Sequence, residues 1–466
     1  MTQAPAIVPE TEPPPHADGG DTSLPASFAQ ERLWFLHQID AGSPLYNIPL
    51  AYDVRGPLNI GLLRESILDI IRRHESLRTN LAFEHGALVQ VIHEDADFTL
   101  DVQDLSTLPD DERETRAAAA ARSFIRRPFD LSKQPLLRVL LLKIGEESHQ
   151  IVLNFQHSVF DGVSLGIFLR ELAECYGARL EGREPALEPL PIQYGDFAVW
   201  QRQSLGGPLL EKQIAFWKER LREIPPPLEL PTDRQPPKQP TTTGGDLFFT
   251  VPAAVHFALR DLCQREGVTL FMALTAAFQA LLFRYTGQER MLTGAPVANR
   301  NHSETDRLIG LFVNTMVLRG DFRGDPSVRD LLRRTREETL SAVEHGDLPF
   351  EKLVQEMQIG QRDGRNPLFR TMLVLQTHAP ISGFRDLEFR PMGHELNAAI
   401  LDLLFEMIDD GTGLRGGISY STDLFDRATI ERLAGHFQTL LVMADLANVR
   451  SSPRYRALLG RLRARG

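Results

Sequence analysis

The chain has 466 residues, of which 42% are hydrophobic and 24% charged, and its formal net charge is −11. That length and apolar content suit a globular protein of roughly two to four domains. The acidic balance gives no sign of a nucleic-acid or anionic-membrane partner, and no run of about 18 apolar residues predicts a membrane-spanning helix.

The cysteine content and the N-terminus fit a reducing cytoplasm. Cys175 and Cys263 stand far apart in helix-like patterns, which argues against a disulfide framework and a cysteine-based metal site. The N-terminus has neither the basic start nor the apolar core of a signal peptide. Residues 1–22 are rich in proline, glycine and acidic residues, so we predict a disordered leader.

Mixed α/β patterns fill residues 23–185, which we interpret as a first, N-terminal lobe. Ser27, with Gln30 three residues later, has the spacing of a helix N-cap and capping box. Apolar residues at steps of three and four predict an amphipathic helix over 60–81. Two apolar, β-branched runs, the second at 149–157, predict a pair of strands, and helical spacing follows them.

Residues 186–245 contain helical patterns between proline-rich stretches, and we predict a linker or crossing segment there. Strand and helix patterns begin again over 246–446, the predicted C-terminal lobe, with no short repeat that would indicate a solenoid. Residues 447–466 carry six arginines, so this basic tail is either a frayed terminus or a segment that steers an acidic partner. A ligand site between two such lobes is the default expectation.

The stretch NFQHSVFDGVSL, residues 154–165, places His157 where a strand ends and a helix begins. A neutral imidazole held there can accept a proton near pH 7 from an attacking amine or alcohol. Asp161 is too close in sequence to be assumed its partner, and it can instead form a structural ion pair with an arginine. Gly162 would permit a backbone conformation that other residues resist. A purely structural histidine also fits this stretch.

Other reaction classes lack their motifs in this sequence. One histidine and one aspartate do not make a metal site, so no metal is predicted. The G-x-S-x-G elbow of serine hydrolases does not occur, nor does the Gly-Lys-Ser/Thr ending of a phosphate-binding loop.

Seven stretches resemble, in the same order, the motifs of the condensation domains of nonribosomal peptide synthetases. The resemblance covers residues 24–446, and the third stretch corresponds to the family's His-His-x-x-x-Asp-Gly signature. The stretches are SFAQERLWFL (27–36), RRHESLRTNL (72–81), FQHSVFDGVSL (155–165), YGDFAVWQ (194–201), IGLFVNTMVLR (309–319), HGDLPFEKLV (345–354) and RDGRNPLFR (362–370).

The resemblance implies an α/β fold of two chloramphenicol-acetyltransferase-like lobes arranged in a V. A tunnel between the lobes would be entered from two faces by the phosphopantetheine arms of carrier proteins. A donor acyl thioester on one arm would be attacked by the nucleophile of the acceptor.

The resemblance also implies roles for single residues. His157 matches the second signature histidine, which acts as a base or positions the nucleophile. Asp161 matches the signature aspartate, which forms an ion pair that shapes the site, and Arg300 is our candidate partner for it. Gly162 matches the signature glycine beside the reacting centre, and Asn366 matches a polar residue near the tunnel centre.

Gln156 and Ser164 complete the candidate site as supporting residues. Gln156 stands where the family usually has its first histidine, and glutamine donates and accepts hydrogen bonds but does not titrate. If the first histidine is structural, the replacement is tolerated. If the two histidines must share a proton, the replacement removes activity.

The implied function is that of a condensation enzyme in natural-product biosynthesis. It would transfer an acyl, peptidyl or polyketide chain from a carrier-protein phosphopantetheine thioester to an amine or alcohol, giving an amide or ester. The chain would bind no cofactor of its own, because the phosphopantetheine arm belongs to a carrier protein acting in trans. The acceptor would be carrier-bound or a small molecule. Since no adenylation or carrier domain is recognisable, the chain is either a freestanding condensation enzyme or one excised from a larger chain. We predict the freestanding form, as a monomer in the cytoplasm.

Two alternatives stay open at this point. The first is a catalytically inactive module of the same fold that recruits other enzymes to carrier-bound chains, and Gln156 keeps it open. The second is an acyltransferase that uses coenzyme A as its donor.

Overall fold

A computed structural model describes residues 21–445 apart from residues 206, 239, 360–364, 378–382 and 394. Most of the predicted leader, the whole predicted basic tail and the first residues of the motif at 362–370 therefore lie outside the described residues.

Helices and strands are interspersed along the described chain. The helices are α1 Phe28–Ile39, α2 Ile60–Arg73, α3 Asp110–Arg126, α4 Gly162–Glu181, α5 Tyr194–Ser204, α6 Gly207–Arg220, α7 Ala253–Glu266, α8 Leu270–Thr286, α9 Val328–Glu344, α10 Phe350–Glu356 and α11 Arg427–Asp445. The strands are β1 Thr22–Pro25, β2 Asn47–Arg55, β3 Thr79–Glu84, β4 Ala87–Ile92, β5 Leu100–Asp104, β6 Leu137–Gly145, β7 Ser148–Gln156, β8 Gly244–Val251, β9 Arg290–Val297, β10 Asn314–Asp321, β11 Thr371–Thr377, β12 Glu388–Met392, β13 Leu403–Asp409 and β14 Leu414–Ser421.

The chain divides into two compact units, and the second half of the sequence contributes to both. The first unit consists of Met1–Lys212, Ala298–Asn314 and Ala379–Leu396, and the second of Gln213–Val297, Thr315–His378 and Asn397–Gly466. This division differs from the sequence-based lobes, because two segments of the range 246–446 belong to the first unit. One of them supplies β12, which pairs with β2 of that unit along its whole length.

A five-stranded sheet in the order β12-β2-β7-β6-β5 organises the first unit. Its neighbours are antiparallel except for β5 and β6. Val139 and Leu141 of β6 face a core shared with α2 and α4, whereas Leu140 and Leu142 face α3. Because helices cover both faces, residues 139–142 of β6 form a continuous apolar run in the sequence. A smaller sheet, β1-β4-β3, also belongs to this unit.

The start of α1 forms as the sequence predicts. Ser27 Oγ accepts a hydrogen bond from Gln30 N at 3.2 Å, and Gln30 Oε1 accepts one from Ser27 N at 2.9 Å. This is a complete capping box, which satisfies two backbone donors at the first turn.

The helix predicted over 60–81 is too long. The helix α2 ends at Arg73, and a 3-10 turn and the strand β3 follow it. His74 has extended backbone angles, and its ring bonds to Glu171 and to the backbone of Ile309. These long-range contacts end the helix, although the apolar spacing of the sequence continues.

A six-stranded sheet in the order β10-β9-β11-β13-β14-β8 organises the second unit. The helices α7, α8 and α11 share its apolar core. Phe405 of β13 lies at the centre, with its ring centroid 5.0 Å from that of Phe278 and 5.2 Å from that of Phe437. The helix α9 packs beside α8 through Leu332.

Three further properties concern the described residues alone. No single helix among them has the length and apolar character of a membrane span, although α7 and α8, bent by 105°, meet those criteria as a pair. No cluster of three or more His, Cys, Asp or Glu side chains in the described part of the chain is arranged to hold a metal ion. Cys175 and Cys263 are free and buried, and burial raises the pKa of their thiols to about 12 and about 11.

Candidate active site

His157 lies at the junction between β7 and α4, where a 3-10 turn spans His157–Val159. Its backbone N–H donates to the carbonyl of Tyr46 at 2.9 Å, and that of Gln156 donates to the carbonyl of Leu136 at 2.9 Å. The main chain at His157 is therefore held by its neighbours on both sides, although the strand has already ended.

One hydrogen bond fixes the imidazole of His157 in a single tautomer. Nδ1 lies 2.8 Å from the carbonyl oxygen of Phe160. A carbonyl oxygen only accepts, so Nδ1 carries the hydrogen of the neutral ring. Nε2 then keeps its lone pair and is the atom that can accept a proton.

The environment of His157 favours the neutral ring. Burial lowers the pKa of His157 below its ordinary value, and this effect exceeds the opposite effects of the Phe160 carbonyl and the Asp161 charge. The residues after the turn, Gly162 and Val163, are exposed. At neutral pH His157 is thus an unprotonated base next to an accessible surface.

Asp161 caps the N-terminus of α4 through Oδ1 and binds a remote backbone group through Oδ2. Oδ1 accepts from Ser164 N at 2.9 Å and from Ser164 Oγ at 2.7 Å, and Oδ2 accepts from Phe312 N at 3.0 Å. The structure describes both His157 and Asp161, and no hydrogen bond joins their side chains. Asp161 therefore holds the fold around the histidine and acts on the imidazole through its charge, without a hydrogen bond to it.

Arg300 is the ion-pair partner of Asp161, as the sequence predicts. Its Nη2 lies 3.1 Å from Asp161 Oδ1, and both side chains are buried. Nη1 donates to the carbonyls of Thr305 and Leu308, and the guanidinium lies 4.0 Å from the ring centroid of Phe312. A buried guanidinium needs this many partners, because an unpaired charge in the interior is strongly destabilising.

Ser164 connects the same helix to the backbone of Gly310. Its Oγ accepts from Gly310 N at 3.1 Å while it donates to Asp161. A Cβ atom on Gly310 would lie 2.2 Å from the ring of Tyr194, so only glycine fits this position.

The residues Leu308–Phe312, hereafter the anchored segment, receive side chains from several motifs. Ser76 Oγ donates to the carbonyl of Ile309 at 2.7 Å, and Tyr194 OH donates to the carbonyl of Leu311 at 2.8 Å. Ser27 Oγ lies 2.8 Å from the same Tyr194 hydroxyl. Side chains of the second, third and fourth motifs thus contact this segment, which itself opens the fifth motif, and the first motif reaches it through Tyr194. Sequence reasoning missed this convergence.

Gln156 has a structural role in this arrangement. Its side chain is buried, and its Oε1 accepts a hydrogen bond from the backbone N–H of Ser158. This bond caps the 3-10 turn that carries His157. A histidine could make the same bond only through an unprotonated ring nitrogen, whereas glutamine makes it at any pH.

Gly162 is the first residue of α4 and does not have a positive φ, so the expectation of an unusual backbone conformation there is wrong. Gly162 is exposed and has no side chain, and this is the property through which it can still matter for the site. An added side chain would stand directly beside the turn that carries His157.

Asn366 belongs to the second unit, whereas the other predicted site residues belong to the first. Its Oδ1 accepts from the backbone N–H groups of Leu368 at 3.0 Å and Phe369 at 3.2 Å. The side chain therefore shapes the turn that precedes β11, and a role in binding substrate stays a prediction.

Several known proteins are similar to this chain over most of its length. A family model described as "Condensation domain" matches residues 21–450. One of the linear gramicidin synthase proteins of Brevibacillus parabrevis is 44% identical over 425 residues, which are 90% of this chain and 6% of that protein. Phosphinothricin tripeptide synthetase PhsC from Streptomyces viridochromogenes is 39% identical over 421 residues, which are 90% of this chain and 39% of that protein. The chain thus spans a small part of these relatives.

Solved structures show the same fold. The X-domain in its complex with OxyB from teicoplanin biosynthesis has a TM-score of 0.80 and 25% identity, with 96% of this chain and 97% of that one covered. The SgcC5 protein from Streptomyces globisporus has a TM-score of 0.75 and 26% identity, with 91% and 98% covered. The two-lobed chloramphenicol-acetyltransferase-like fold is therefore established, and the chain belongs to the condensation-domain family, which forms amide bonds in nonribosomal peptide synthesis.

Proposed function

We propose that this chain transfers an acyl, peptidyl or polyketide chain from the phosphopantetheine thioester of a carrier protein to an amine or alcohol. The observation that carries the proposal is the tautomer of His157, whose Nδ1–H is engaged by Phe160 and whose Nε2 is left as a base. The lowered pKa of His157 supports it, since the ring is unprotonated at neutral pH.

The chemical step follows from that nitrogen. As the acceptor nitrogen or oxygen attacks the thioester carbonyl, its proton passes to Nε2 of His157. The carbon–sulfur bond then breaks, and the leaving sulfur takes the proton back from the imidazolium. The products are an amide or ester and the free thiol of the carrier arm. Asp161, Arg300 and Ser164 act as positioning residues, because they hold the start of α4 beside the histidine.

The proposal includes partners that act with the chain. The donor arrives on an acyl or peptidyl carrier protein in trans, and the acceptor is a small molecule or a second carrier-bound group. The phosphopantetheine arm belongs to the carrier, so the chain supplies the base and the binding surfaces. We place the enzyme in the cytoplasm and expect it to work as a monomer.

The test is a turnover comparison of the wild type, His157→Ala and, as a matched control, His85→Asn at an exposed turn outside the site. Each is given an acyl-loaded carrier protein with a mixture of amines and alcohols, and intact-mass spectrometry follows unloading of the arm. We expect the wild type and the control to unload the carrier and His157→Ala to be slower by about 10²- to 10⁴-fold. Equal rates in all three would remove His157 from the chemistry.

A second donor class belongs in the same experiment. Acyl-coenzyme A replaces the loaded carrier in a parallel series. Faster transfer from acyl-coenzyme A than from any carrier thioester would favour a coenzyme A-dependent acyltransferase.

Recruitment of another enzyme is a second candidate function, favoured by two observations. Gln156 replaces the first signature histidine, and the fold is close to that of the X-domain, whose structure is a complex with OxyB. In the turnover comparison, a wild type that binds the loaded carrier but unloads no donor would support this function.

A further inference from the structure

A cavity in the second unit is lined by arginines and has no part in the proposed reaction. Its volume is about 670 Å³, and it lies among α6, α8, α9, β9 and β10. The strand β10 is an edge strand of the six-stranded sheet. Its apolar wall consists of Leu331, which is half-buried, and of Ala276, Met291, Leu292 and Phe322, which are almost fully buried and expose little area to it. This volume lies within the range of pockets that hold small organic ligands.

The charged lining of this cavity is unbalanced. Six arginines and four carboxylates contribute, which leaves a surplus of two positive charges in a chain whose net charge is −11. We call it the arginine cavity. Its arginines are Arg220, Arg290, Arg319, Arg323, Arg333 and Arg334, and its carboxylates are Glu223, Asp321, Glu337 and Glu338.

The surplus arises because two carboxylates are each shared by two guanidinium groups. Glu338 contacts both Arg220 and Arg319. Asp321 contacts both Arg323 and Arg334. One carboxylate neutralises one guanidinium, so each of these groups keeps one positive charge among the lining residues. Glu289, which lies outside the lining, offsets part of that charge at Arg323.

Donors at the cavity also exceed the acceptors that the chain offers them. Arg220 Nε is buried and has no hydrogen-bond partner in the structure. Arg323 and Arg333 expose 60% and 58% of their side chains while they line the cavity. Exposed guanidinium groups beside a cavity can bind an anion with several oxygens, and phosphate oxygens match their geometry well.

We propose that the arginine cavity binds the phosphate monoester or diphosphate group of an organic phosphate. Two negative charges on such a group equal the surplus of positive charge among the lining residues, and the half-buried Leu331 can contact the organic part. The inference does not depend on the proposed transfer reaction, because His157 belongs to the other unit and has no part in it.

Isothermal titration calorimetry of the full chain at 150 mM salt tests the proposal. The probes are inorganic pyrophosphate, ADP and coenzyme A. We expect saturable binding at one site, and Arg333→Gln should weaken it about tenfold, since one charged hydrogen-bonding group is lost. A substitution of Glu337, whose Oε1 lies 3.2 Å from Arg333 Nη1, should change the affinity in the opposite direction. Glu337→Gln should tighten binding about threefold, because it removes a negative charge from the rim.

Arg329→Gln is the matched control, since Arg329 lies on the same helix, pairs with Glu266 and does not line the cavity. Because the charge of Arg329 is already paired with Glu266 at 2.7 Å, Arg329→Gln should lower the affinity much less than Arg333→Gln does. Arg323→Gln is a second weakening variant that is safe for folding, because Asp321 keeps Arg334 as a partner.

The relative affinities of the three probes show which kind of phosphate compound the cavity binds. Equal affinity for pyrophosphate and ADP would identify a site for the phosphate group alone, and tighter binding of ADP or coenzyme A would identify an organic phosphate with contacts to the apolar wall. No saturable binding of any probe would overturn the proposal, as would an equal loss in Arg329→Gln. Arg333-dependent binding of an acidic carrier protein, with no binding of the three phosphates, would replace the cavity with a protein-docking surface.

Discussion

His157 and Asp161 stand four residues apart in one motif, yet their surroundings are opposite. His157 commits one ring nitrogen to Phe160 and lies beside exposed residues. Asp161 commits both oxygens to Ser164, Arg300 and Phe312 and is buried. The histidine side has a free lone pair, whereas the aspartate side has no capacity left.

The difference teaches that this motif combines a chemical group with the structure that holds it. A group meant to react with a substrate must keep an unsatisfied atom, and a buried charge must have none. Substitutions on the two sides should therefore be visible in different measurements, namely turnover for His157 and unfolding for Asp161.

The largest effect is expected on the histidine side. His157→Ala should lower kcat/KM by about 10²- to 10⁴-fold, because the proton acceptor is lost. The free energy of unfolding in urea should change little by comparison, since the ring makes one hydrogen bond, to Phe160. Transfer kinetics and urea titration of the same preparation check both parts. A variant that unfolds early would show that His157 belongs to the structural side.

The next effect lies on the aspartate side. Asp161→Ala should lower the free energy of unfolding by about 3–5 kcal/mol, because Arg300 is left buried without its carboxylate. The helix α4 also loses its N-cap. Urea titration followed by circular dichroism measures this loss. Replacement of the exposed Asp110, whose pairing with Arg113 is at the surface, is the control and should cost well under 1 kcal/mol.

A smaller loss is expected where the anchored segment meets α5. Tyr194→Phe removes the hydroxyl that donates to the carbonyl of Leu311 and contacts Ser27, and it leaves that buried carbonyl without this donor. The cost should be about 1–3 kcal/mol of unfolding free energy. Thermal or urea unfolding of the variant checks it. A change within about 0.3 kcal/mol would mean that the anchored segment is held by its other contacts alone.

The pH dependence of transfer should identify the protonation state of His157. Because burial lowers its pKa below 6.5, kcat/KM should rise with pH and reach half of its plateau value below pH 6.5. Below that pKa, each pH unit should lower kcat/KM about tenfold. Folding follows the same sign, since the unfolded state binds the proton more readily and acid therefore destabilises the native state. A rate that increases as the pH falls would mean that the imidazolium is the active form.

The sequence was sufficient for residues whose roles are local. The capping box at Ser27 and the His157 junction follow from spacing along a few residues, and the pair of Asp161 and Arg300 follows from the family resemblance together with charge. The fold class follows from the order of the motifs over most of the chain.

The anchored segment and the edge strand β12 could not be predicted in the same way. The anchored segment is held largely through its backbone, for example through the carbonyls of Ile309 and Leu311. Because every residue has a backbone carbonyl, the sequence does not show which carbonyls will accept these bonds. The strand β12 is a short, largely exposed edge strand, and only its pairing with β2 defines it. His74 ends α2 through contacts with Glu171 and Ile309, which are remote in sequence. The one available signal was that several of the seven family motifs contain no residue with an obvious chemical role. Such motifs are expected to contact one another in the fold.

The smallest effect is expected at Gln156, the position that separates an active enzyme from a recruitment module. Because Gln156 caps the turn through Ser158 and does not titrate, Gln156→His should leave kcat/KM within about threefold of the wild type, since a neutral ring nitrogen can accept the same bond. Gln156→Ala should cost about 1 kcal/mol of stability, the usual value of a lost cap. Transfer kinetics and urea titration of both variants test this. A large gain of activity in Gln156→His, from a wild type that barely unloads its carrier, would show that the first histidine shares the chemistry and would favour recruitment as the function of this chain.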